Sequence, residues 1–156
     1  MSSKNHPSKT KNKRHIHFQY TFDRARTIYG YESLPVAHAH RALSRSLITL
    51  ASMTYSKENS LESNYLHHAH EAFRIAQDWF GVEDRIRLFP FKMTLAHAQQ
   101  AHISSADDAV KESSFNEAME LLDECSLIAQ EIFGSMSFKV AQVHRLRSAT
   151  FLSKKM

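Results

Sequence analysis

Histidine is the residue type that most invites chemistry in this chain. There are 11 in 156 residues, and imidazole is both a metal ligand and an acid–base group near neutral pH. The densest group is His67, His68, His70 and Glu71. On a helix, His67 with His70 and His67 with Glu71 share a face, which sets two potential ligands side by side. A metal site takes three or four ligands, and His38, His40 and Cys125 would have to arrive by tertiary contact to complete one. The spacing lacks the paired-ligand signature of zinc sites, so no metal and no other cofactor is expected. His40, His102 and His144 instead fall on stripes with three- and four-residue steps. They read as half-buried packing residues whose ring nitrogens find partners.

Other reactive side chains give less. Cys125 is the single cysteine; it stands where a helix stripe calls for a small apolar group, and its neighbours Asp123 and Glu124 disfavour a thiolate. All three glycines are used as helix stops, leaving none for a phosphate-cradling loop. No spacing among serines, histidines and acids marks a nucleophile with its base. The chain therefore reads as a non-enzyme.

The elements that position these residues are legible from the glycines. Gly30, Gly81 and Gly134 each end the phrase Ala-x-x-apolar-aromatic-Gly, as in Ala25–Gly30, Ala76–Gly81 and Ala129–Gly134. Glycine enters the left-handed conformation that satisfies the last helical carbonyls, and the preceding apolar pair is expected to anchor the final turn. The spacings of 51 and 53 residues fit an array of helical hairpins. Between the stops run the stripes Phe18-Phe22-Ala25-Tyr29, Val36-His40-Leu43-Leu47-Leu50, Tyr65-Ala69-Ala72-Ala76-Trp79, Leu88-Phe91-Leu95-Ala98-His102, Phe115-Ala118-Leu122-Cys125-Ala129-Ile132 and Val140-His144-Arg147-Phe151. Their period predicts six helices and an all-α fold, a superhelix of antiparallel helix pairs. Pro35 opens the second helix, Pro90 falls in the first turn of the fourth, and polar loops cover Ser56–Ser60 and Ser104–Ser114.

Charge divides the chain. The formal net charge is +4; residues 1–22 hold five of the 20 basic groups and none of the 16 acids, so the remaining 15 basic and 16 acidic groups sum to −1. Residues 1–17 are expected to be a disordered basic tail and 18–156 the helical-repeat domain. The tail suits phosphates, and Lys11-Asn12-Lys13-Arg14-His15 suits a nuclear address. With no aromatic among these basic residues before Phe18, nucleic acid is the less favoured partner, and a basic-tailed nucleic-acid-associated protein is the alternative reading. The longest apolar stretch, Leu47–Met53, is interrupted by Thr49 and Ser52 and is too short for a transmembrane segment. With one cysteine and no secretory run, a reducing cytoplasmic setting follows, extending to the nucleus.

These residues resemble the tetratricopeptide repeats of the kinesin light chain type. In that family a glycine closing the second helix is followed six and seven residues later by Val-Ala; here Gly30 precedes Val36-Ala37 and Gly134 precedes Val140-Ala141. Phe115-Asn116-Glu117-Ala118 matches the family's aromatic-x-x-Ala opening, and Ala72-Phe73-Arg74-Ile75 its Ala-Leu-x-Ile element. The matches reach over about residues 18–154, and Val36–His40 and Leu66–Ile75 look most like the amyloid-protein-binding members of the family. The resemblance implies an intracellular adaptor that holds peptide-like tails, linked to amyloid precursor trafficking, microtubules and cullin-type ubiquitin ligases. Departures are repeats about ten residues longer than the usual unit, Arg87-Leu88 in place of Val-Ala, and no ligase-docking box in these 156 residues.

In such arrays the first helices line the concave side, where side chains need not pack. The non-stripe positions there are Arg41, Ser44, Arg45, Lys92, His97, Gln99, Gln100, Arg145 and Arg147. A cationic groove of this kind fits an acidic or carboxylate-terminated peptide of a partner protein. The unpartnered helices at the two ends of the array favour self-association.

Overall fold

In the computed structural model, residues 7–53, 59–103 and 107–155 are described, and all regular structure among them is α-helical. The helices are α1 (Pro7–Tyr29), α2 (Leu34–Met53), α3 (Asn59–Phe80), α4 (Arg85–Ile103), α5 (Asp108–Phe133) and α6 (Phe138–Lys155). The chain divides into two compact units, Met1–Ile75 and Ala76–Met156, and the division falls inside α3.

Three glycine corners are built alike. Gly30, Gly81 and Gly134 have φ of 82°, 86° and 87°, a region that side-chain-bearing residues avoid. Each glycine amide donates to the carbonyl four residues back, Arg26 at 3.0 Å, Gln77 at 2.8 Å and Gln130 at 3.2 Å. Three residues on, Ser33, Asp84 and Ser137 cap the next helix by accepting from the amides of Val36, Arg87 and Val140 at 3.4, 3.2 and 3.3 Å. The cap also turns back: the Ser33 hydroxyl and the Asp84 and Ser137 amides donate to the carbonyls of Gly30, Gly81 and Gly134. Gly134 has ψ 153°, so it lies in the extended positive-φ region rather than the left-handed helical one expected for it, a region close to glycine-only. The apolar pairs ahead of the glycines do not anchor the turns as expected. Ile28, Tyr29, Trp79, Ile132 and Phe133 are exposed, although Phe80 is half-buried beneath Arg87 and Phe133 touches the ring of Phe89 at 5.9 Å; backbone bonds and caps do most of the closing.

In the first unit α1 packs on α2, and Phe22, Ala25, Val36, Leu43, Leu47, Tyr65, Ala69 and Ala72 are buried. The stripe pattern predicted these positions, while Tyr29 at its end is exposed. α1 begins at Pro7, so it takes in much of the stretch assigned above to a disordered tail; proline suits a first helical turn and lysine is a good helix former. Lys4 and positions 56–58 of the predicted polar break lie outside the described residues, and the break's last two residues, Asn59 and Ser60, belong to α3 instead.

In the second unit α5 is central, packed by α4 on one side and α6 on the other, with α4 also touching α6. Phe89, Ala96, Leu122, Cys125, Ile128, Ala129, Val140 and Val143 form its core. Three expectations are corrected here. α5 starts at Asp108, inside the predicted loop, because Asp107 caps it through the Val110 amide at 3.0 Å. Pro90 sits inside α4, not in its first turn, because the Asp84 cap starts that helix at Arg85. α6 buries Val140, Val143, Thr150 and Ser153, leaving His144 exposed and Phe151 on the surface, edge-on to Phe115 at 5.5 Å.

Candidate functional site

The nine candidate groove residues fall in two groups, three on α2 in the first unit and six on α4 and α6 in the second. Those of the second unit are largely committed to internal bonds. The Lys92 ammonium, on a side chain only 12% exposed, pairs with Glu124 at 2.9 Å. The Gln100 amide donates to the Ser153 hydroxyl at 2.8 Å, Gln99 donates to Glu117, and Arg147 pairs with Asp123 at 2.8 Å. These bonds knit α4 and α6 to each other and to α5, so the expectation of a loose face fails there. His97 is half-buried and Arg145 exposed.

On α2 the picture differs. Ser44 does not line a surface: it is fully buried, and its hydroxyl donates to the Tyr65 carbonyl at 2.8 Å, tying α2 to α3. His38, Arg41 and Arg45 are spaced three and four residues apart, which puts them on one helical face. His38 and Arg45 are exposed and Arg41 is half-buried. Burial and then the Arg45 charge hold the Arg41 guanidinium below its ordinary pKa. Burial and then the Arg41 charge do the same to His38. Like charges therefore press on one another along this row, a cost that an anion laid across it would relieve.

The histidine-rich stretch of α3 disperses. His67 and His70 face outward. Glu71 is taken by Arg74 at 2.7 Å, and Arg74 also grips both oxygens of Glu32, at 2.9 and 3.0 Å. The hydrogen bond from Arg74 holds the Glu71 carboxyl below its usual range. Among the described residues no group of three or more His, Cys, Asp or Glu is arranged to hold a metal.

His68 instead turns to α2, where its Nδ1 lies 2.8 Å from Nδ1 of His40. The sequence flagged both residues but not this pairing, since nothing in a 28-residue separation announces it; the only signal is that His40 lies on the apolar stripe of α2. Burial pushes both imidazoles down to about 4. Cys125 is fully buried, and burial, opposed by Lys92 and aided by Glu124, raises its thiol to about 12. It fills space as a neutral group.

No family model, no curated protein and no solved structure matches the chain. No described helix is long and apolar enough to cross a membrane.

Proposed function

We propose that this chain is a non-enzymatic adaptor of the tetratricopeptide-like superhelical class, holding an acidic peptide segment of a partner protein against α2. The observation that carries the reading is the row His38, Arg41 and Arg45 on a single face, where burial and then the neighbouring cation hold His38 and Arg41 below their ordinary pKa values. A carboxylate-rich segment gains charge-assisted hydrogen bonds there and removes the repulsion. The three matching corners support the repeat architecture, because equivalent corners are what a stack of equivalent hairpins requires. A buried thiol with no disulfide partner fits a cytoplasmic setting. Within this reading the partner is a cargo tail or a ubiquitin-ligase substrate.

The test is binding of the full chain to an array of acidic, carboxylate-terminated peptides, with affinities taken by fluorescence anisotropy. Removing one charge-assisted bond costs about 1.5–3 kcal/mol, so Arg45→Ala is expected to weaken the best peptide about tenfold or more. An array without binders, or binders indifferent to both Arg41→Ala and Arg45→Ala, overturns the proposal. Binding abolished only by neutralising Lys9, Lys11, Lys13 and Arg14 transfers the function to the basic N-terminal stretch and to nucleic acid.

A further inference from the structure

Three helices of the first unit meet at two histidine rings. His40 of α2 is 7% exposed, and its Nδ1 lies 2.8 Å from Nδ1 of His68 on α3. Phe22 of α1, itself 4% exposed, packs on both in T-shaped arrangements, at 4.6 Å from His40 and 5.4 Å from His68. His67 closes the other side, 5.4 Å from His68 and 6.3 Å from His40. We infer that this junction is an acid-sensitive latch: it holds α1 on α2 and α3 while the rings are neutral and releases α1 when they gain protons.

The chemistry follows from the Nδ1 contact. Two nitrogens at this distance need one hydrogen between them, so one ring donates its Nδ1–H to the lone pair of the other. A first proton from solvent lands on the Nε2 of the donating ring, the one free lone pair of the two rings, and leaves that bond in place, but sets a cation against the Phe22 side of the junction. A second proton gives each Nδ1 a hydrogen, and the two N–H groups then oppose each other. The surroundings do not compensate. From α1 come His15 and Arg26, from α2 the His40 ring itself, and from α3 His67, Arg74 and Glu71. Glu71, the one acid among them, is bonded to Arg74. Lifting Phe22 away lets water solvate the new charges, and that movement is the release of α1.

The direction of the pH dependence is fixed by linkage. Burial, first among the causes, holds the folded imidazoles at about 4, below the value of about 6.5 for a solvated ring. The closed form thus binds fewer protons. Its advantage is complete above about pH 6.5 and declines as pH falls toward about 4. From about pH 7.5 to about pH 5 the open form gains about 30-fold for each histidine that titrates.

Amide hydrogen exchange of the full chain, corrected for intrinsic chemistry and read separately over residues 18–29 and over α5, tests the latch. At about pH 5 the α1 amides are expected to lose about 30-fold or more of their protection while α5 keeps its own. In His68→Gln, and separately in His40→Gln, the pH dependence of α1 exchange is expected to weaken, because one of the two titrating rings is gone, and in the double variant to vanish. Loss of protection in α1 and α5 together, an unchanged pH dependence in both variants, or no response of the wild-type α1 overturns the proposal. So does loss of α1 protection on adding a chelator at about pH 7.5, which would make the two rings metal ligands. If either variant fails to fold, the wild-type comparison of α1 with α5 decides by itself.

Discussion

A side chain's sequence position says which face it occupies, not whether a neighbouring helix offers it a partner. Ser44, Lys92, Gln100 and Arg147 show the difference. All four were assigned to an open face by spacing, and all four are spent on Tyr65, Glu124, Ser153 and Asp123. Arg45 and Arg145 stayed on the surface. Pairing across helices depends on long-range register, which periodicity within one helix does not encode. Cys125 was legible because its role is local: a small residue on a buried stripe. With its thiol raised to about 12 by burial, both reagent access and thiolate supply are lacking at neutral pH. A disulfide reagent such as dithionitrobenzoate is therefore expected to leave the native protein unmodified over minutes and to label one thiol per chain in denaturant. Rapid labelling of the native protein would place Cys125 in an accessible, activated setting and reopen the question of a redox role.

At the scale of elements, the six helices were readable from the period of their stripes, and the ends of α1, α3 and α5 from a glycine phrase written in contiguous residues. At two of the bounds that moved, a cap was responsible: Asp84 put Pro90 inside α4 and Asp107 lengthened α5 toward its start. Asp and Ser serve loops and caps alike, so composition does not separate the two uses. The corner at Gly134 gives a clean measurement. A Cβ built there meets nothing within 4 Å, so Gly134→Ala adds no clash and its cost is conformational. At φ 87° and ψ 153° that cost is about 1–3 kcal/mol, read from denaturant unfolding as a lower midpoint with unchanged slope. A loss below about 0.5 kcal/mol would mean that the corner relaxes into another turn, and the case for three equivalent corners would weaken with it.

For the whole molecule the decisive property is where the charge lies. The net +4 comes from residues 1–22, and the rest sums to −1. Two interactions then separate by origin. A polyanion would be drawn to the basic N-terminal stretch by counterion release, which fades steeply with salt. Under the proposed function, an acidic peptide on α2 would be held by placed hydrogen bonds around His38, Arg41 and Arg45, with a local component that salt screens less. Changing Lys9, Lys11, Lys13 and Arg14 together to glutamine takes the net charge from +4 to zero. That variant is expected to elute from heparin at clearly lower salt, while its affinity for the best acidic peptide stays within about twofold, on the order of 0.4 kcal/mol. Unchanged heparin retention would move the polyanion contact off the N-terminal stretch and onto the α2 row, making one cationic face serve both ligands. Arg45→Ala would then lower heparin retention and peptide affinity in parallel, whereas separate sites require it to affect the peptide alone.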